Sequence, residues 1–99
     1  MWILRTETDT RNLNCVFRLG PGAVKTLGRA IRADFILDAA LVSRLHCRFT
    51  TGDSGELEIE DLRSTNGTFV NEERVKRRPL TPGDRVRVGR VELKVERES

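Results

Sequence analysis

Tyrosine is absent from this chain of 99 residues, and tryptophan and histidine occur once each. With only four phenylalanines besides, there is little to stack on nucleic-acid bases, which argues against a dedicated single-strand binder. The two cysteines, Cys15 and Cys47, lack the paired spacing of a metal site. Together with one histidine they supply too few of the usual ligands for structural zinc. They also fall short of the dense bridge framework of small secreted domains. Reduced thiols and an intracellular setting are therefore expected, with a lone disulfide as the lesser alternative. Long hydrophobic runs are missing too. Runs such as Phe35-Ile36-Leu37 and Ala39 to Val42 stop at three or four residues, far below the span of a bilayer. The N-terminus carries no long apolar stretch before a small-residue cleavage site, so no secretory leader is expected.

An excess of one charge is scarce as well. Eighteen Lys and Arg against fifteen Asp and Glu leave a formal charge of +3, a mild basic bias rather than the dense stripe of a nucleic-acid binder. Its placement is more telling. Arg29, Arg32 and Arg44 fall in or beside Gly28-Arg29 and Ser43-Arg44-Leu45-His46, whereas Lys76-Arg77-Arg78 beside Pro79 reads as a solvated turn. The length suits one domain spanning 1–99, with its core over about 2–95.

Alternation dominates the C-terminal half. Leu57 and Ile59 alternate with glutamates, Val86 and Val88 with Arg85 and Arg87, and Val91, Leu93 and Val95 with Glu92, Lys94 and Glu96. A period of two sends one row into a core and the other into water. Gly89-Arg90 suits a tight hairpin, and Thr81-Pro82-Gly83-Asp84 suits a turn. The tail from Glu96 to Ser99 is expected to fray.

The N-terminal half is less clear. Trp2-Ile3-Leu4 and Cys15-Val16-Phe17 read as strands around a polar loop from Glu7 to Asn14. From Ala23 to His46, Val24, Leu27 and Ile31, then Leu37, Leu41 and Leu45, recur at helical spacing and would permit two short helices. Gly28 argues against the first, costing about 1 kcal/mol relative to Ala. The second also fits a strand, with Leu45, Cys47 and Phe49 on one face and His46, Arg48 and Thr50 on the other. Asn71-Glu72-Glu73 could start a helix, but Pro79 leaves it little room. Short strands with frequent turn signals favour an all-β sandwich.

Catalysis finds little support. Ser43 and His46 are three residues apart and acidic residues abound, yet no nucleophile-elbow glycines flank Ser43. No Gly-Lys-Ser/Thr phosphate loop occurs. Asn66-Gly67 by itself is a type I′ hairpin turn between Leu57–Leu62 and Thr68–Val70. His46 by itself is a satisfied core histidine.

Taken together, Gly28-Arg29, Ser43-Arg44-Leu45-His46 and Ser64-Thr65-Asn66-Gly67-Thr68, with Asn71 beyond, resemble the forkhead-associated (FHA) domain from Trp2 to Val95. The resemblance implies an eleven-stranded antiparallel β-sandwich of the FHA/SMAD type with functional loops at one end, which overrides the helices of 23–46. It also implies a phosphothreonine-dependent protein-binding module rather than an enzyme, with no cofactor and no metal. By position, Arg29 and Ser43 would contact the phosphate, with Arg44 assisting by side chain or backbone. Thr65 would hydrogen-bond nearby, and Asn66 would hold the peptide main chain. Gly28, His46 and Gly67 would be scaffold. The glycine would let the chain turn beside Arg29, the imidazole would buttress Ser43, and Gly67 would aim Asn66. Partner preference would then come from loops such as Arg32 to Asp34 and Ala39 to Val42.

Within that family, Met1-Trp2 and Gly67 to Glu73 are similar to the N-terminal module of nibrin-like DNA-repair scaffolds. That finer resemblance implies a fragment of a longer nuclear protein that recruits phosphorylated acidic motifs in the DNA-damage response. Two other classes stay open at this point. One is an OB-type nucleic-acid barrel using Arg85, Arg87, Arg90 and Lys94, and the other is a phosphate-independent interface on a sheet face.

Overall fold

The computed structural model describes residues 1–7 and 15–98; beyond Glu7, the polar loop expected up to Asn14 lies outside them. Eleven strands follow in chain order: β1 (Trp2–Thr6), β2 (Val16–Leu19), β3 (Val24–Gly28), β4 (Phe35–Ile36), β5 (Cys47–Thr51), β6 (Leu57–Asp61), β7 (Thr68–Val70), β8 (Glu73–Val75), β9 (Arg77–Leu80), β10 (Arg85–Val88) and β11 (Val91–Arg97). They form one six-stranded sheet in the order β2-β1-β11-β10-β7-β8 and one five-stranded sheet in the order β4-β3-β5-β6-β9. All pairs are antiparallel except the two-residue pairing of β3 with β4, which is parallel and makes the second sheet mixed. The sandwich is thus not purely antiparallel as expected.

Side-chain alternation builds the core. Leu57 and Ile59, Val86 and Val88, and Val91, Leu93 and Val95 all turn inward, where they meet Leu4, Leu19, Leu27 and Phe49 from the other strands. Burying each such side chain stabilises the fold by roughly 1.5–3 kcal/mol. Cys15 and Cys47 are free thiols. Burial, with the charge of Asp61 second, pushes the Cys47 thiol well above its ordinary range, so it behaves as a small hydrophobe.

The helical spacing over 23–46 is a coincidence of loops and strands. Val24 and Ile31, which a helix would bury beside Leu27, are 57% and 91% exposed. Among the described residues there is no helix. His46 also stands one residue before β5 rather than inside it. The OB alternative fails because the sheets stay open, with β2, β8, β4 and β9 at their edges. Arg85 and Arg87 of that alternative are occupied by Glu7 at 3.0 Å and Glu72 at 3.8 Å.

Three turns carry the rest of the chain's geometry. Val88 pairs with Val91 across Gly89-Arg90, and Gly89 takes φ 59°, as the first central residue of a II′ hairpin does. Gly83 takes φ 94° after Pro82, with the Asp84 amide on the Thr81 carbonyl at 3.1 Å, a type II arrangement. The I′ hairpin lies elsewhere than expected. β6 and β7 belong to different sheets, so Asn66-Gly67 crosses between sheets instead of closing a hairpin. Asn71-Glu72 closes β7 onto β8, both residues with positive φ, 50° and 71°, which also removes the helix considered from Asn71.

Lys76-Arg77-Arg78 is mostly strand rather than turn. Arg77 pairs with Glu58 at 2.7 Å and Arg78 with Glu73 at 3.1 Å. The tail is likewise held: Arg97 pairs in register with Trp2 and lays its guanidinium 4.9 Å from the indole ring, and the Glu98 amide donates to the Met1 carbonyl at 2.9 Å. Ser99 lies outside the described residues.

Register brings four of the other connections to one end. Leu27 faces Cys47, Cys47 faces Asp61, and Val88 faces Thr68. Segments 29–34, 37–46 and 62–67 and the 89–90 turn therefore meet there. Replacing Glu72 by Gly should raise stability by up to about 1 kcal/mol, because a left-handed residue with a Cβ is strained. Urea unfolding checks this, and a lower midpoint for Glu72→Gly contradicts the assigned turn.

Candidate functional site

The loop end is assembled by backbone approach before any side chain is considered. A Cβ on Gly28 would stand 2.0 Å from the Arg44 carbonyl oxygen and 2.9 Å from the Leu45 Cα. Only glycine lets β3 end against that segment. Close approach, rather than the turn expected beside Arg29, is thus its role, since its φ is not positive. The closeness permits a short ladder. The Arg29 amide donates to the Ser43 carbonyl at 2.9 Å, that of Ala30 to Arg44 at 3.1 Å, and that of Leu37 to Gly28 at 2.8 Å.

His46 fastens this ladder to the next loop. It is fully buried, and its Nδ1 accepts the Ser43 amide hydrogen at 3.0 Å. Its Nε2 lies 2.8 Å from the Gly67 carbonyl oxygen. A carbonyl only accepts, so Nε2 carries the proton and the ring is the neutral Nε2–H tautomer. Gly67 takes φ 91°, which aims its carbonyl at the imidazole and turns the chain beyond Asn66.

Asp61 orders the same loop from below. Its carboxylate accepts from the Ser64 hydroxyl at 2.6 Å, the Thr68 hydroxyl at 2.7 Å and the Ser64 amide at 3.2 Å. The Ser64 hydroxyl oxygen in turn accepts the Gly67 amide hydrogen at 2.9 Å. Burial opposes ionisation of Asp61, but these donors outweigh it and hold its carboxyl below the usual carboxylate range.

These braces bring Arg29, Ser43, Thr65 and Asn66 around one cleft of about 460 Å³, walled by Asp38 to Val42. Arg29 donates its Nε–H to the Val42 carbonyl at 3.1 Å. Its two terminal nitrogens have no partner among the described residues. The Ser43 hydroxyl oxygen accepts the Thr65 amide hydrogen at 3.1 Å, so its own proton remains to be donated. Asn66 spends its amide nitrogen on the Leu41 carbonyl at 3.1 Å and leaves its oxygen unspent. Leu41 sits at φ 70°, and the 89–90 turn packs behind it, as a Cβ on Gly89 would lie 2.8 Å from the Ala40 oxygen.

Arg44 differs from the others. Its exposed side chain is not part of the cleft lining, and its carbonyl braces Ala30 instead. Of the loops expected to set preference, Ala39 to Val42 line the cleft while Arg32 to Asp34 do not. Asp34 is turned back to Thr26, accepting its amide and hydroxyl at 2.9 and 3.1 Å. Sequence reasoning missed Asp38 and Asp61. For Asp61 the available signal was an aspartate three residues before Ser64, the spacing of a side-chain cap.

Comparison with known proteins is consistent with this architecture. The family model described as FHA domain matches residues 25–89. The oxoglutarate dehydrogenase inhibitor of Corynebacterium efficiens is 40% identical over 68 residues, covering 69% of this chain and 47% of that protein. The glycogen accumulation regulator GarA of Mycolicibacterium smegmatis is 41% identical over 66 residues, covering 67% of this chain and 41% of that protein. The match thus spans less than half of either relative. Among solved structures, a domain from a structural and functional analysis of phosphothreonine-dependent FHA domain interactions superposes with a TM-score of 0.86 at 31% identity, covering 99% of this chain and 97% of that one.

Because the folded-state pKa of Asp61 is depressed, its contribution to stability is complete above the unfolded value of about 3.9 and is lost as pH falls through the lower folded value. Asp61→Asn should therefore destabilise at neutral pH and flatten the fall in stability below about pH 4. Thermal melts across pH measure both, and an unchanged acid limb in Asp61→Asn contradicts the assignment.

Proposed function

The chain belongs to the FHA domain family, and we propose that its loop end binds phosphothreonine-containing segments of other proteins, recruiting them in signalling. One observation carries this reading. The unspent guanidinium nitrogens of Arg29 and the unspent hydroxyl proton of Ser43 border the same cleft. A phosphate brings about −1.5 to −2 charges and three acceptor oxygens. A planar guanidinium answers with paired, charge-assisted donors, and a serine hydroxyl adds a short neutral one. Each such bond to a charged group contributes roughly 1.5–3 kcal/mol, enough in combination to reject the unmodified residue.

The remaining residues fit the same ligand. Thr65 borders the phosphate side of the cleft, and Asn66 offers both donor and acceptor to a peptide main chain once it releases the Leu41 carbonyl. Arg44 acts here through its backbone. Gly28, His46 and Gly67 hold the loops, so that little ordering is left to the moment of binding. Such a module binds rather than catalyses, and its chemistry calls for no cofactor.

An intracellular regulator fits the free thiols and the relatives named for metabolic regulation. Those relatives are bacterial, and the nuclear, nibrin-like reading with its DNA-damage partners gains no support from them. The partners that follow from this reading are phosphorylated proteins.

Arg29→Ala should abolish binding to a phosphothreonine peptide while leaving the melting temperature close to wild type. Fluorescence anisotropy with labelled peptides decides it, and wild-type affinity in Arg29→Ala overturns the assignment. Ala39, Leu41 and Val42 give the cleft an apolar wall, where the threonine methyl would be worth about 1–3 kcal/mol. A matched phosphoserine peptide should bind correspondingly more weakly, and equal affinities would contradict a methyl niche.

A further inference from the structure

We propose that Asp38 selects a basic side chain close to the phosphothreonine, which makes the carboxylate a specificity-determining residue of the cleft. The inference rests on the phosphothreonine reading above and adds to it the charge of a neighbouring peptide residue.

The starting observation is a carboxylate that the protein does not use. At this end of the sandwich Asp34 is taken up by Thr26 and Asp61 by Ser64 and Thr68. Asp38 lines the cleft and has neither a hydrogen bond nor an ion pair among the described residues. It does not pair with Arg29 although both line the same cleft, and the Nε–H of that arginine points to the Val42 carbonyl instead. Cation and anion are thus held apart, each free for a ligand.

A phosphorylated segment entering this cleft changes the balance at Asp38. It strips water from the carboxylate and brings a second anion near it, and both effects disfavour binding unless the segment also carries a cation. A lysine or arginine reaching Asp38 removes that penalty, whereas a glutamate there adds to it. The rest of the rim has the opposite preference. Arg32, Arg44, Arg63 and Arg90 are exposed and have no ion pair among the described residues, so their field draws acidic segments toward this end. Asp38 is the reversal within the cleft lining, since Asp34 lies outside it. The expected ligand is therefore a phosphothreonine segment of acidic character with a base at a single defined position. Exposed charge pairs are modest, so the discrimination should be about three- to fivefold.

The test uses phosphothreonine peptides of one parent sequence in which each flanking position in turn carries Lys, Ala or Glu. Each peptide is titrated against wild type, Asp38→Asn and Asp38→Lys, alongside its unphosphorylated counterpart. Asp38 is exposed, and thermal melts confirm that each variant is folded. At one position the wild type should favour Lys over Glu about three- to fivefold. Asp38→Asn should lose that preference, and Asp38→Lys should invert it. Phosphate-dependent binding with the same Lys/Glu ratio in wild type and Asp38→Asn at every position overturns the role of Asp38 alone. Binding indifferent to phosphate, or none to any phosphopeptide, overturns the underlying reading and this inference with it.

Discussion

A single buried imidazole holds the functional end of this molecule together. His46 accepts at Nδ1 from the Ser43 amide and donates from Nε2 to the Gly67 carbonyl. Its own amide donates to the Leu27 carbonyl at 2.8 Å, and its carbonyl accepts from the Leu62 amide at 3.0 Å. One residue thereby ties the end of β3, the loop bearing Ser43 and the loop bearing Thr65-Asn66. Both ring nitrogens are satisfied only in the Nε2–H tautomer, and a protonated ring would lose its bond from Ser43. No buried side-chain polar atom among the described residues is left unsatisfied. The burial of His46 therefore costs little, and its geometry is over-determined.

The other braces complete what the imidazole begins. Gly28 permits the approach that puts Arg29 beside the Ser43 carbonyl, and Asp61 gathers Ser64 and Thr68 so that the chain turns at Gly67. Neither touches the cleft. Gly28 acts through backbone approach and Asp61 through two hydroxyls and one amide, and the cleft residues inherit their positions from both. With the loops fixed largely by other groups, Arg29 spends only its Nε–H on Val42 and Ser43 only its oxygen on Thr65, and their remaining donors stay unspent.

The strands of the C-terminal half were legible because their faces differ, one apolar and one charged, and period two has no rival over Val86–Val88 or Val91–Val95. The stretch 23–46 was not, because its leucines serve different purposes. Leu27 and Leu37 are core residues, while Leu41 stands 47% exposed on the cleft wall, so their shared spacing carries no common face. Resemblance to a family resolved that stretch where periodicity did not. Turn chemistry misled at Asn66-Gly67, where the usual I′ pair crosses between sheets, and the real I′ turn uses Asn71-Glu72 without a glycine. Asp38 and Asp61 escaped notice for a further reason. Whether a carboxylate caps a loop, pairs with an arginine or faces a ligand is decided by tertiary contacts that one sequence does not display.

The preformed, His46-locked loop end is the proposed binding surface, and nuclear magnetic resonance of a ¹⁵N-labelled sample tests this most directly. Titration with a phosphothreonine peptide should shift the amides of Arg29, Ser43, Thr65 and Asn66. The imidazole should keep the Nε2–H pattern of nitrogen shifts from the free to the bound state, and the unphosphorylated peptide should move none of these signals. Shifts confined to the sheet faces, or a change of His46 tautomer on binding, would contradict it.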